Sequence, residues 1–505
     1  MRLPVSLLIV ATLLLVAGLV HVAGQRWPQA PVAGDALEAG PEDPGQAPAP
    51  VDDLGAGTEG GGEEAPAVLE PAPLPNPPLP ERLAALVQDE GLQARTFGVS
   101  VIDEGGIPVF SHSADAQLLP ASLQKLVVAA GALATLGPEF RYETLLGATA
   151  APEPGGVLHG HLVLVGSGDP ALGSPLYGQV RGDRPRTPLE ALADRAVAGG
   201  ITRVTGDVLG DPRVFPHQPE APGWLPRYLE RGDTTRSSGL TAEGGRRLFV
   251  EGGRLRSRPA DDPAATAAAT LHGLLTERGV VIDGGAGATH APPAAPVHVG
   301  SVDSPPLLDL LRYAVQRSDN HLADAIFRTI GLAAGDASWA GSATAVEQSL
   351  SVLDLDFAGT VLADGSGLSR DGRLSPAFLT ALDVAMTNSN YGTRWQELMA
   401  VAGESGTLRR RLLGSVAERR LRGKTGSLQD VVSLSGVVMG PADERYHFGV
   451  VGNNLDQAGK ESIRRLQDLL VLALAEDLYD CRWVPVQPIP DGAVGPPAAE
   501  LECAA

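Results

Sequence analysis

Between Leu118 and Gly137 the chain reads LLPASLQKLVVAAGALATLG, a helical run that is apolar on nearly every side and ends at a glycine. A helix with no polar face has to be enclosed by other elements, so this stretch predicts a layered domain with the helix inside it. One lysine, Lys125, sits within the run, three residues after Ser122. Lysine is scarce here: of 39 basic residues only Lys125, Lys424 and Lys460 are lysines, and arginine fills the other positions. Arginine stays charged in proteins, whereas a lysine amine can be driven toward neutrality by burial and can then carry protons. Lys125 and Lys424 are therefore candidates for chemistry on residue type alone.

The 505 residues suffice for more than one domain. A net charge of -21 excludes the basic surface that nucleic acid requires. The chain starts with Arg2 and an apolar run from Leu3 to Val20. Residues 1–24 are read as an export segment, either a cleaved signal peptide or a retained anchor that contacts the membrane through residues 3–23. The expected location is outside the cytoplasm, in the periplasm or its equivalent. Residues 25–79, rich in Pro, Gly and Ala and strongly acidic, predict a disordered tether. Cys481 and Cys503 fit no zinc spacing; one disulfide is open to them in an oxidising compartment. The Pro- and Ala-rich tail 483–505 is expected to be disordered.

Between these ends the pattern is α+β. PERLAALVQDEGL predicts an amphipathic helix, FGVSVID and PVFSHSA predict strands, and the buried helix follows. Residues 146–299 mix strand-like runs (HLVLVGSG, VTGDVLGD, RRLFVEGG) with helices. Two helix starts are expected there: a capping box at Thr187-Pro188-Leu189-Glu190, and Asp262-Pro263 opening an alanine-rich helix that stops at Gly279. After two helices around Ser318 the chain returns to strands in LRGKTGS, VVSLSGVVM and YHFGVVG and closes with a long helix. Helices flanking an antiparallel sheet, split by a long mixed insertion, is the predicted architecture. One domain takes residues 80–145 and 300–482, and the inserted part takes 146–299.

Three short motifs recur in a set order: Ser122-Leu123-Gln124-Lys125, Ser318-Asp319-Asn320 and Lys424-Thr425-Gly426. Each alone is weak; an isolated Ser-Asp-Asn is usually a helix cap. Together, with two of them using scarce lysines, they describe nucleophilic catalysis. Ser122 at a helix start places its hydroxyl within reach of Lys125 one turn on, and the helix N-terminus favours a developing negative charge. Ser318 is a candidate proton relay. The Asn320 amide can hold Lys125 and meet a substrate peptide, and Asp319 is read as a cap. On the next strand, Lys424 and Gly426 share a face. Lys424 would supply charge for a terminal carboxylate, Thr425 or Ser427 a hydroxyl, and Gly426 room for a substrate backbone. The N–H groups of Ser427 and Ser122 would form an oxyanion hole.

With these motifs the sequence resembles the class C low-molecular-mass penicillin-binding proteins, D-alanyl-D-alanine carboxypeptidases that also act as endopeptidases. The likeness spans roughly residues 80 to 480. It includes the long separation of Ser122 from Ser318, VGSGDPAL around Asp169, GDVLGDPRVF, PGW at Trp224, ADGSGLSRDGRLSP from Ala363 and GTLRRRL from Gly406. The resemblance implies a penicillin-binding/β-lactamase-like transpeptidase fold and hydrolysis of peptidoglycan stem peptides through an acyl-enzyme on Ser122. It implies inhibition by β-lactams and needs no cofactor or metal. The alternatives are a β-lactamase-like hydrolase, which would lack the insertion, and a catalytically inactive wall-binding protein. Among the histidines, His159 and His161 are read as surface residues, and His321 is a candidate for lining the cleft.

Overall fold

The computed structural model describes residues 77–93, 95–291, 297–485 and 499–503. The export segment and nearly all of the acidic tether lie outside the described residues. No helix among the described residues is long and apolar enough to cross a membrane.

A six-stranded antiparallel sheet carries the site. Its order is Ala400–Val401, Leu421–Leu428, Val431–Met439, Arg445–Asn453, Thr96–Asp103 and Pro108–His112. TFGVSVID is buried at six successive positions because it lies inside the sheet with helices on both faces, so its apolar run does not alternate. One face packs the helices Leu79–Val87 and Gln457–Leu478 through Leu83, Ile463, Leu470 and Leu474. The other receives the helix Gln124–Thr135, whose first ten residues are all buried. Around it lie Leu307–Arg317, Asn320–Ala333, Trp339–Leu350 and Pro376–Thr387. Each fully buried Leu or Val in these layers contributes about 1.5–3 kcal/mol.

Residues 143–303 supply a second sheet of five strands, ordered Ala286–Ala288, Val208–Asp211, Leu162–Val165, Glu143–Ala148 and Val297–Asp303. Its first three strands run parallel and the last two pair antiparallel. The helices Glu190–Ala198 and Pro263–Glu277 cover it. Asp262 caps the second helix as expected, its Oδ1 accepting the N–H of Ala265 at 2.9 Å. The expected capping box does not form. Thr187 and Pro188 pair as a short parallel strand with Leu172 and Gly173, and Leu189 takes the N-cap position without a side-chain bond. The pairing uses the Thr187 N–H on the Ala171 carbonyl, at 2.8 Å, and a buried ladder bond outweighs a local cap.

Of the tail expected to be disordered, residues 483–485 and 499–503 are described, and the rest lies outside the described residues. Arg482–Pro485 pairs antiparallel with Ala499–Glu502, and Cys481 and Cys503 close that hairpin as a disulfide.

Candidate active site

Pro120 leads into a tight turn, Ala121–Leu123, from which the helix Gln124–Thr135 continues. Ala121 is held at φ 50, a left-handed backbone that costs a side-chain-bearing residue of order 1 kcal/mol. Its carbonyl lies against Gly367, where a Cβ would come within 1.9 Å of the oxygen. The turn leaves Ser122 half-buried and one helical turn from Lys125. Lys125 is 1% exposed. Its amine makes three contacts: to Ser122 Oγ at 2.9 Å, to Asn320 Oδ1 at 2.8 Å and to the Ser366 carbonyl at 2.5 Å.

Burial pushes the Lys125 amine down to about 8, while the carboxyl groups of Asp324, Asp364 and Asp319 pull it upward. Lys424 is fully enclosed and is held well below the ordinary lysine range, first by burial and then by the charge of Lys125. Asp324 is pushed well above the carboxylate range by burial and by Asp364, and it accepts the N–H groups of Gly365 and Ser366 at 3.0 and 2.9 Å.

The second motif lies where two helices meet. Ser318 ends Leu307–Arg317 in a left-handed conformation at φ 58, and Asp319 caps Asn320–Ala333 by accepting the Leu322 N–H at 2.9 Å. The same carboxylate pairs with Arg184, and although burial pushes it up, that guanidinium carries it below its usual range. Asn320 is oriented at both ends: its Oδ1 accepts from Lys125, and its Nδ2 donates to the Asp233 carbonyl at 2.8 Å. The Ser318 hydroxyl is not hydrogen-bonded among the described residues. The structure thus brings Ser122, Lys125 and Asn320 into direct contact and leaves Ser318 adjacent in sequence, without a bond to Lys125.

The third motif is on the strand Leu421–Leu428. Lys424 and Gly426 are both buried, opposite Ser435 and Ser433 of the neighbouring strand. A Cβ at Gly426 would lie 2.2 Å from Ser433 Oγ and 2.8 Å from the Pro120 carbonyl, so this strand passes directly against the Ser122 turn. Lys424 Nζ donates to the Thr425 carbonyl at 2.9 Å, and the Thr425 hydroxyl donates to Thr407 Oγ1 at 2.8 Å. Ser427 is exposed.

A profile of the D-Ala-D-Ala carboxypeptidase 3 (S13) family matches residues 79–251 and 243–474. The chain belongs to that family. It is a serine-type D-Ala-D-Ala carboxypeptidase, hence a hydrolase, of the penicillin-binding class. Carboxypeptidase DacB of Mycolicibacterium smegmatis is 31% identical over 80% of this chain and 88% of its own length. The D-alanyl-D-alanine carboxypeptidase of Actinomadura sp. (strain R39) is 28% identical over 79% and 84%. In fold, the chain matches penicillin binding protein 4 (dacB) of Haemophilus influenzae with a TM-score of 0.67 at 22% identity, over 77% of this chain and 99% of that one.

Several residues of this S13 site were not singled out from sequence. Asp364 gathers a loop around itself, accepting from Gly367 N at 2.7 Å, Ser369 N at 2.8 Å and Ser366 Oγ at 3.0 Å. That loop presents the Ser366 carbonyl to Lys125. Only the phrase ADGSGLSRDGRLSP pointed to it. The stretch Arg231–Gly245 forms a wall against the second motif through Asp233 and Thr235. His321 does not line an open cleft: it is buried between Thr235 Oγ1 at 2.9 Å and Thr241 Oγ1 at 3.3 Å, and burial lowers it to about 4. His161 accepts the Asp207 N–H at 2.9 Å, and no metal-binding cluster occurs among the described residues.

Proposed function

We propose that Ser122 is acylated by the carbonyl of the penultimate D-alanine of a peptidoglycan stem peptide, releasing either the terminal D-alanine or a cross-linking amine, and that water then hydrolyses the ester. The observation that carries this reading is the 2.9 Å bond from the buried Lys125 Nζ to the half-buried Ser122 Oγ. With its amine lowered to about 8, Lys125 is neutral often enough near neutral pH to take the serine proton, at the cost of a tenfold reduction for each unit of mismatch. Asn320 orients Lys125. Ser318 relays the proton to the leaving nitrogen once substrate fills the gap beside it. Lys424, Thr425 and Ser427 hold the terminal carboxylate, Gly426 admits the peptide backbone, and the N–H groups of Ser122 and Ser427 take the oxyanion.

The division into a peptidase domain of residues 80–145 and 300–482 with 146–299 inserted is supported by the separate sheets these stretches feed, the strands Glu143–Ala148 and Val297–Asp303 at the junctions joining the inserted sheet. The enzyme acts outside the cytoplasm, in keeping with bacterial relatives that are D-alanyl-D-alanine carboxypeptidases and with the Cys481–Cys503 disulfide. Residues 3–23 bring it to the membrane.

Intact-mass measurement after incubation with benzylpenicillin tests the chemistry. Wild type gains one penicilloyl group and Ser122→Ala gains none. Rapid turnover of the drug would indicate a β-lactamase-like hydrolase, and neither adduct nor turnover would indicate a binding protein with an inactive site.

A further inference from the structure

Residues 246–258 hold five arginines and one glutamate, in a chain whose net charge is -21. They form a two-stranded antiparallel ribbon, Arg246–Glu251 with Arg254–Pro259, that joins no other sheet. The second strand is exposed at every position but its last. The ribbon starts at the wall of the site: Arg246 Nη2 donates to the Gly232 carbonyl at 2.5 Å, and the carbonyl of the next residue, Asp233, holds the Asn320 amide at 2.8 Å. From there its six paired positions extend about 20 Å to the turn at Gly252 and Gly253.

Register decides which charges share a face. Side chains alternate along each strand, and Arg247 stands opposite Arg258, Phe249 opposite Arg256 and Glu251 opposite Arg254. One face therefore carries four exposed guanidiniums, one carboxylate and a phenyl ring, with Arg258 lying 5.8 Å from the Phe249 ring centroid. None of these four arginines has an ion pair among the described residues. Like charges set directly opposite one another destabilise a sheet, and a ribbon standing alone is marginal to begin with. Guarding its free edges takes only scattered charge and does not call for Arg247 facing Arg258. An anion lying across the face offsets that repulsion.

We infer that this face is an exosite for the peptidoglycan polymer, holding the carboxylates of stem peptides that neighbour the one engaged at Ser122. Charge selects that occupant: the polymer presents carboxylates at intervals, and a chain of net charge -21 repels it over most of its surface. Position selects it too. The ribbon leaves the wall that orients Asn320, so a polymer held on it stays beside the cleft. Such a contact raises the local concentration of scissile bonds; it lowers KM for the polymer and leaves the chemistry at Ser122 unchanged. The inference goes beyond the acyl-enzyme reading above and rests on it only for the choice of substrate.

The test gives the full chain two substrates: a soluble peptide ending in D-Ala-D-Ala, and purified peptidoglycan stripped of phosphate-bearing polymers. Arg247→Gln, Arg256→Gln and Arg258→Gln together lower kcat/KM on peptidoglycan about tenfold, the scale of three exposed ion pairs, and leave the soluble peptide within about twofold of wild type. Arg247→Lys, Arg256→Lys and Arg258→Lys together keep most of the activity, and raised salt erases the gap between wild type and the glutamine variant. Sedimentation of Ser122→Ala with the same peptidoglycan reads the contact without turnover; it is lost when the three glutamine substitutions are added and when the polymer's carboxylates are amidated. Wild-type activity of the glutamine variant on peptidoglycan, or an equal loss on both substrates, overturns the exosite. So do glutamine substitutions that spare sedimentation with peptidoglycan and weaken it only with phosphate-bearing wall polymers or phosphatidylglycerol vesicles. Failure of the acyl-enzyme reading looks different: neither substrate is cleaved and no penicilloyl adduct forms, while sedimentation still reports on the ribbon.

Discussion

The indole N–H of Trp224 donates to Asp364 Oδ2 at 2.8 Å. Through that bond the middle of the chain is fastened to the loop whose Ser366 carbonyl holds Lys125. Other ties run parallel to it: Arg184 to Asp319, Arg328 to the Pro216 carbonyl at 2.7 Å and Ser237 Oγ at 2.9 Å, and Thr235 to His321. The residues between the first and second motifs thus form one wall of the site rather than an appendage.

Trp224→Phe removes one of three donors to the buried Asp364 Oδ2, leaving those from Ser369 N and Ser366 Oγ. The expected loss of unfolding free energy is about 1–3 kcal/mol, read from denaturant unfolding. Because the loop loosens around Lys125, acylation by benzylpenicillin slows several-fold as well. A variant as stable and as fast as wild type would refute the link between Trp224 and the lysine site.

Lys125→Met removes the proposed base while keeping volume. Acylation by benzylpenicillin falls by at least about a hundredfold. Thermal stability falls as well, since methionine leaves the Asn320 Oδ1 and the Ser366 carbonyl without their buried donor. Stopped-flow acylation and thermal melting of the same sample separate the two effects, and retention of the wild-type rate would exclude Lys125 as the base.

Acylation depends on the neutral amine, and an amine loses its proton above its pKa. The second-order acylation constant therefore climbs about tenfold per pH unit below the Lys125 midpoint and levels off above it. With Lys125 held at about 8, the bend falls near pH 8 and not near the ordinary lysine value. A profile still rising linearly past pH 10 would place the base elsewhere.

His321 stays neutral in the folded chain down to about 4, against about 6.5 when unfolded. Between those values the unfolded chain takes a proton that the folded chain refuses, so stability is lost as pH falls through that window, by up to about 3 kcal/mol. Asp169, pushed up to about 6 by burial, acts with the opposite sign, its contribution being lost as pH rises. Denaturant unfolding of wild type and His321→Gln from pH 7 to 4 isolates the histidine: the variant's stability falls less. Parallel curves would mean that His321 is not buried uncharged.

Much of the fold was legible because its pattern is local. The apolar run around Lys125, the strands LRGKTGS, VVSLSGVVM and YHFGVVG and the closing helix each announce themselves by composition and period, and each forms where expected. The Thr187 capping box failed because it was judged on four residues, while the pairing with Leu172 and Gly173 joins segments distant enough that only the folded chain brings them together. The pairing of residues 482–485 with 499–502 went unread for a similar reason: so short a ladder leaves little trace in a Pro- and Ala-rich stretch.

By itself the sequence determined the chemistry available, since Ser122, Lys125, Asn320 and Lys424 are distinguished by residue type, scarcity and order. Only the tertiary structure decided how that chemistry is tuned. A lysine's pKa depends on what encloses it, and the groups enclosing Lys125 come from Asn320, Asp324, Asp364 and Ser366, far along the chain. Desolvation and Coulomb interaction act through space, so they have no period or spacing in the sequence from which to be read.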